Sequence, residues 1–217
     1  MCGRFTLHTP VEILVERFSL SSLDFSYNPS YNVAPTQNVF TILPKGSTPT
    51  ASLIRWGLTP PWQKKGQSSP PLINARLETV ADKPTFKGLV NTQRCLIIAD
   101  GFYEWKKEGA KKYPVYITLD NGEPFAFAGL WDNASPASCT IITKEANDFI
   151  KPIHHRMPVI LTPETEKLWL APLTFSEIRD SLLIENPGPL KHHRVSTLVN
   201  SPRNNVASCI LPVDELV

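Results

Sequence analysis

Hydrophobic positions in this chain fall mostly in short β-branched or aromatic runs bounded by turn residues, which is the pattern of strands. Residues 38–43 and 51–56 form one such pair, with Lys45-Gly46-Ser47 as the turn between them. Residues 95–99, 113–119, 125–130 and 138–143 continue the series, and Asp120-Asn121-Gly122 is a hairpin signal between two of them. Helical spacing occurs in fewer places. Val11, Leu14, Val15 and Phe18 predict a short amphipathic helix over 10–19. Pro163–Leu170 and 174–183 predict two more, the first with Thr162 as N-cap and Pro163 at its first position. Residues 60–71 combine proline, glycine, lysine and serine, and predict an exposed loop. Strands dominate and are not regularly interleaved with helices. The expectation is an α+β fold, with an antiparallel, barrel-like β core and a few peripheral helices.

Composition narrows the class. The 217 residues suit one domain spanning 1–217, with no internal repeat and no convincing linker. A chain of this length can bury a core without disulfides or metals. With 41% hydrophobic and 19% charged residues it reads as soluble and globular. A net charge of +2 permits a nucleic-acid partner without demanding one. The 21 prolines, nearly twice the usual share of about one in twenty, point to many defined loops. No charged leader precedes an apolar run, and no stretch approaches the roughly 18 apolar residues of a membrane span. The expectation is a cytoplasmic protein (nucleoid-associated if bacterial), with no membrane partner.

Cys2, Cys95, Cys139 and Cys209 show no C-x-x-C spacing, so zinc and thioredoxin patterns are absent. Cys95 and Cys139 lie in apolar stretches and read as buried small hydrophobes. Cys2 differs by position. Removal of Met1 would leave one residue with both a thiol and a free α-amine. The amine's reference pKa of about 7.7–8.0 keeps a useful fraction neutral near pH 7, and the thiol is intrinsically nucleophilic. Together they can close on an aldehyde as a five-membered thiazolidine. Alternatively the amine could serve as base for the thiol in a hydrolase. A cysteine at this position by chance is the plain alternative.

Three further segments carry chemistry, each with a bland alternative. Asn74-Ala75-Arg76 follows the proline-rich loop: the amide can fix a substrate oxygen or an amine, and the guanidinium a phosphate, unless this is only a solvated loop. Glu104 stands between aromatics in Asp100-Gly101-Phe102-Tyr103-Glu104-Trp105. Buried there, its pKa would rise toward neutrality and suit acid–base work; on a solvent face it would do nothing. His154 and His155 precede another apolar run and should face opposite ways on an extended segment, so at most one reaches a given site. His192-His193-Arg194 reads as a solvated basic run. Metal and cofactor motifs are lacking, and none is expected. Arg55-Trp56, Trp62-Gln63-Lys64-Lys65 and Trp105-Lys106-Lys107 interleave rings with cations, as single-stranded nucleic-acid binders do, or are simply core tryptophans beside lysine-rich loops.

Taken together these residues resemble the SRAP family, the SOS-response-associated peptidase or abasic-site processing proteins. The matching pieces run in order: Met1-Cys2-Gly3-Arg4-Phe5, Tyr31-Asn32-Val33-Ala34-Pro35-Thr36, Arg55-Trp56-Gly57-Leu58 with Pro60 and Trp62, and Asn74-Ala75-Arg76 with Glu78-Thr79. They continue through Arg94-Cys95-Leu96, Asp100 to Trp105, and His154-His155-Arg156-Met157-Pro158. The resemblance implies covalent capture of abasic sites in single-stranded DNA, with a thiazolidine formed by the amine and thiol of Cys2. It implies that Asn74 orients the terminal amine or the sugar. Glu104 would move protons during ring opening and imine formation. His154 would act on the sugar hydroxyl and could assist strand cleavage or reversal. Arg4, Arg76 and Arg156 would hold phosphates, and Trp62 would stack beside the lesion. One departure stands out: His155 occupies a position that is often aspartate in the family. The resemblance also allows an N-terminal-cysteine peptidase, including removal of its own Met1, or a non-covalent reader of single-stranded or modified DNA. A monomer is expected.

Overall fold

The strand-rich pattern produces two sheets, with the α-helices of the described residues on one side of the larger one. A computed structural model describes residues 2–44, 46, 48–59, 69–184 and 186–213. In chain order these hold β1 (Phe5–Leu7), α1 (Val11–Arg17), β2 (Ser30–Val33), β3 (Asn38–Leu43), β4 (Thr50–Trp56) and β5 (Asn74–Arg76). There follow α2 (Pro84–Lys87), α3 (Leu89–Thr92), β6 (Arg94–Ala99), β7 (Gly101–Glu108), β8 (Lys111–Leu119), β9 (Phe125–Asp132) and β10 (Ser138–Glu145). Last come β11 (Arg156–Pro158), β12 (Ile160–Leu161), α4 (Pro163–Leu170), α5 (Phe175–Ile184) and β13 (Leu190–Arg194).

In the larger sheet the pairings β4–β3, β3–β6, β6–β9, β9–β10 and β10–β4 close on themselves. That ring is the expected barrel-like core. It is antiparallel except where β10 meets β4, and β5 adds to β10 in parallel as well. The smaller sheet, in the order β13-β8-β7-β1-β2, is antiparallel throughout. The hairpin signal at 120–122 is corrected here. Gly122 takes a φ of 75° and Asn121 Oδ1 caps the Glu123 N–H, so the turn forms. Yet β8 and β9 belong to different sheets, because the edge of β8 opposite β7 is taken by β13.

Side-chain alternation along the strands sorts the core into two clusters. On β6, Leu96 and Ile98 face the helices, while Cys95, Ile97 and Ala99 face the smaller sheet. On β9, Ala126, Ala128 and Leu130 go one way and Phe125 and Phe127 the other. Leu14, Trp169, Ile178 and Leu182 cover the helix side. Thr162 caps α4 as expected, through a reciprocal pairing with Thr165. The Trp169 indole N–H then fastens α4 to the sheet by donating to the Cys95 carbonyl at 2.9 Å. Buried Arg94 lies over the Trp169 ring and donates to the Ala171 and Leu173 carbonyls just past the helix end. Phe5, Phe102, Val115 and Ile117 from the smaller sheet fill the opposite face.

Gly129 marks the tightest point of that face. A Cβ there would lie 2.8 Å from Cys95 Sγ and 2.9 Å from an Ile97 methyl. Gly129→Ala is therefore expected to destabilise the protein by about 1–3 kcal/mol through overpacking, read as a lower urea midpoint with an unchanged slope. An unchanged midpoint would mean that the strands can separate at no cost.

Candidate active site at the amino-terminal strand

Pairing of β1 with β7 builds the site. Phe5 stands opposite Phe102 and Thr6 opposite Gly101, and the Tyr103 N–H continues the ladder by donating to the Arg4 carbonyl at 2.9 Å. The chain start is thereby drawn into the core, and Cys2 is fully buried beside Phe5 and Phe102. Alternation along β7 sends Tyr103 to the small outer cluster with Tyr116 and Val199, so Glu104 shares the Phe102 face and points toward Cys2.

Glu104 is only 3% exposed. Burial pushes its pKa up to about 7, against the opposing positive charge of the chain's amino terminus and a hydrogen bond from the backbone at Trp105. Burial also pushes the Cys2 thiol upward, and the Glu104 charge adds to the effect. The thiol thus holds its proton in the resting site, with the Arg4 carbonyl 3.8 Å from the sulfur. Near pH 7 the thiol stays neutral while the carboxyl divides between its charged and neutral forms, so Glu104 is the group of the pair that can give or take a proton there.

Asn74 reaches the same place from β5. Its Nδ2–H donates to the Cys2 carbonyl at 2.9 Å, and its Oδ1 is buried with no partner among the described residues. Two residues along, Arg76 shares the face of Asn74 and is exposed.

His154 comes from the segment before β11, where Ile150 and Ile153 are buried in the Cys2 cluster. His154 Nδ1 lies 3.0 Å from the Arg156 N–H and 3.2 Å from the Arg156 carbonyl, so the Arg156 backbone offers it a donor and an acceptor. Burial lowers its pKa, as do the amino terminus, His155 and Lys112, while the hydrogen bond to the Arg156 backbone raises it. The expectation that His154 and His155 face apart is overturned. Their rings stack with centroids 4.4 Å apart and planes 25° apart. The backbone is not extended there: it leaves a turn closed by the His154 N–H on the Ile150 carbonyl and bends at His155 before β11 starts.

The arginines divide. Arg76 is open to solvent, whereas Arg4 donates to Asn32 Oδ1 and to the Val199 carbonyl, both at 2.7 Å. Arg156 grips Glu78 through two hydrogen bonds of 2.7 and 2.9 Å and also donates to the Thr143 carbonyl at 2.6 Å. Two of the three groups expected at phosphates are thus already engaged with protein acceptors. Trp62 lies outside the described residues. Glu78, given no role from sequence, proves to tie the strand of Asn74 to the segment of His154. Strand periodicity carried no signal for it, because β5 ends at Arg76 and Glu78 lies in the turn that follows. Among the described residues no group of three or more His, Cys, Asp or Glu could hold a metal. No helix among them is long and apolar enough to cross a membrane.

Comparison with known proteins sets this geometry in context. The family model described as SOS response associated peptidase (SRAP) matches residues 1–202. "Abasic site processing protein YoaM" of Bacillus subtilis is 43% identical over 221 residues, covering 97% of each chain. The Escherichia coli protein of the same description, YedK, is 32% identical, covering 98% of this chain and 100% of its own. HMCES of Gallus gallus, also so described, is 32% identical over 87% of this chain and 67% of its own length. Among solved structures, a protein from Bacteroides thetaiotaomicron superposes with a TM-score of 0.82 at 24% identity, over 98% of this chain and 100% of its own, and shows the shared fold. A phage-related protein from Bordetella bronchiseptica gives a TM-score of 0.73 at 29% identity, over 89% of this chain and 94% of its own.

Burial of Glu104 has a consequence for stability. Below its unfolded pKa near 4.5 the carboxyl is protonated in both states and contributes nothing. As pH rises toward 7 the unfolded chain releases a proton that the folded chain retains, so stability falls, and above 7 the loss is complete. Glu104→Gln should match the parent at pH 4 and exceed it at pH 8 by on the order of 3 kcal/mol, from about 1.4 kcal/mol per unit. Chemical denaturation at the two pH values measures this, and parallel profiles for both proteins would refute it.

Proposed function

The chain belongs to the SOS response associated peptidase (SRAP) family, and on that premise we propose that it traps abasic sites in single-stranded DNA covalently through Cys2. The observation that carries this reading is the convergence of Cys2, a buried Glu104 titrating near pH 7, and Asn74 on the Cys2 carbonyl. Relatives over nearly the whole chain are described as abasic site processing proteins. An abasic site is a masked aldehyde, and the aminothiol left after removal of Met1 is suited to it.

The reaction balances without an external oxidant or reductant. Protonated Glu104 donates to the ring oxygen of the abasic sugar while the anomeric hydroxyl releases its proton to water, and the ring opens to the aldehyde. The neutral Cys2 amine adds to that carbon, and the resulting carbinolamine loses its hydroxyl as water to give the imine. The sulfur then bonds to the imine carbon, the thiol proton leaves to the Glu104 carboxylate, and the nitrogen takes up a proton. One C–N and one C–S bond form, and one water is released. Because burial keeps the thiol protonated, its proton must leave as sulfur attacks, and a carboxyl titrating near 7 fits that task. The free Oδ1 of Asn74 supplies an acceptor for the terminal amine, while its amide N–H holds the Cys2 carbonyl. His154 presents a neutral imidazole to the sugar hydroxyl. Exposed Arg76, on the Asn74 face, is the arginine placed to meet a phosphate; Arg4 and Arg156 act by holding β1 and His154 in position.

Incubation of the processed protein with single-stranded DNA bearing one abasic site should give a heat-stable adduct, one water lighter than the sum of its parts by intact mass. The same spectrum reports whether Met1 has been removed. Cys2→Ala should form no heat-stable adduct, and a stable adduct from that variant would defeat the proposal. The pH dependence adds a second check. Capture by the parent should rise with pH as the amine loses its proton, near pH 8, and be limited above about pH 7 by ionisation of Glu104. Glu104→Gln should slow capture by about 10²–10³-fold and lose the alkaline limb. Retention of that limb in the variant would assign it to another group.

A further inference from the structure

The face of the smaller sheet that carries Glu104 does not end at the buried pocket. Paired strands present opposed residues on the same face. Glu104 pairs with Val115, and Val115 with Arg194, so the three form one row from β7 across β8 to β13. Two strand spacings put the Arg194 backbone about 10 Å from that of Glu104. In the neighbouring rows Lys106 pairs with Tyr113, and His192 with Ile117. Val115 and Ile117 are buried, whereas His192 and Arg194 are exposed at the rim.

Rings and cations alternate along this rim. The Arg194 guanidinium lies 4.6 Å from the Tyr113 ring centroid and makes no ion pair among the described residues. Phe149, from the turn that leads into His154, is 40% exposed, and its ring lies 5.2 Å from that of His192. Partial burial and then the nearby Lys106 charge lower the His192 pKa, and Lys112 acts on His154 as Lys106 does on His192, so the positive field runs on into the pocket. One carboxylate interrupts it: Glu108 accepts from Tyr113 and pairs with Lys106 at 3.3 Å. An exposed phenylalanine on an exposed histidine contributes little to folding. Flat rings beside cations, next to a pocket for a sugar aldehyde, match a base and its phosphate.

We propose that Lys106, Tyr113, Phe149, His192 and Arg194 form a second contact for the same DNA strand and seat an unpaired nucleotide flanking the lesion. Arg194 and Lys106 take phosphates, and the Phe149–His192 pair takes the face of a base. The proposal rests on the reading of Cys2 as an abasic-site trap, but the rim and the trap can be tested apart. Binding of the mature protein to a lesion-free single strand of about fifteen nucleotides reports the rim, and capture of 2-deoxyribose 5-phosphate, an abasic sugar with no flanking nucleotide, reports the trap.

The double variant Phe149→Ala, Arg194→Ala should bind the long strand about tenfold more weakly. Its salt slope should fall by about 0.7, because one phosphate is no longer neutralised. Capture of 2-deoxyribose 5-phosphate should proceed at the parent rate, and Arg194→Lys should retain most of the binding. An unchanged thermal midpoint establishes that the double variant folds. Equal affinity and salt slope in parent and double variant would overturn the rim. So would displacement of the strand by poly-glutamate at matched charge, which would mark a generic anion surface. Failure of the parent to capture 2-deoxyribose 5-phosphate, with rim-dependent binding intact, would instead reject the trap and leave the rim standing.

Discussion

The site depends on one pairing, the antiparallel ladder of β1 on β7, with Phe5 opposite Phe102. A chain terminus is ordinarily solvated and mobile. Here the ladder draws residue 2 into an apolar cluster, on the face that β7 gives to Glu104. The outer side of the same sheet is strapped down by the C-terminal segment: Asn32 donates to the carbonyls of Ser201 and Asn204, and Arg4 to that of Val199. The strap keeps β1 and β2 against β7 and thereby holds the carboxyl and the thiol in one dry pocket.

That dryness sets the chemistry. Removing water raises the cost of every charge, so the carboxyl and the thiol are both driven toward neutrality and the imidazole away from its cation. A buried acid near pH 7 can donate at one step and accept at the next, which is what the proposed condensation and cyclisation would require of it. The surrounding arginines follow the same logic. Arg156, largely buried, is held by Glu78 and the Thr143 carbonyl, and its backbone holds the His154 ring at Nδ1. Arg76, beside Asn74 but open to water, has no such commitment in the structure.

Around this centre the fold supplies a rigid support. The ring of five strands buries Ile97, Phe127 and Ile141 toward the smaller sheet, and carries the helices on its other face. β5 and β11 both attach to β10, which brings Asn74 and His154 to the pocket from the opposite side to Glu104. Segments far apart in the chain thus converge around the amino terminus, Asn74 on the Cys2 carbonyl and Glu104 and His154 within its electrostatic reach.

Much of this was legible in the chain itself. The short β-branched runs, the helix capped by Thr162 and the strand ending in the aromatic segment around Glu104 are local patterns, and local patterns act through backbone preference and periodicity. The resemblance named Cys2, Asn74, Glu104 and His154 as candidates, and of these the structure puts the Asn74 amide on the Cys2 carbonyl. Pairing between distant segments was not legible, because register depends on which edges remain free once the core has packed. The turn at Asn121-Gly122 formed, yet β9 left for the other sheet since β13 held the edge of β8. The engagement of Arg4 and Arg156, the stacking of His154 on His155 and the role of Glu78 as a tie were decided the same way. Residue type and spacing determined which groups could do the chemistry. The tertiary structure alone decided which of them are dry, which are already paired and which still face solvent, because burial and charge pairing belong to the packed whole.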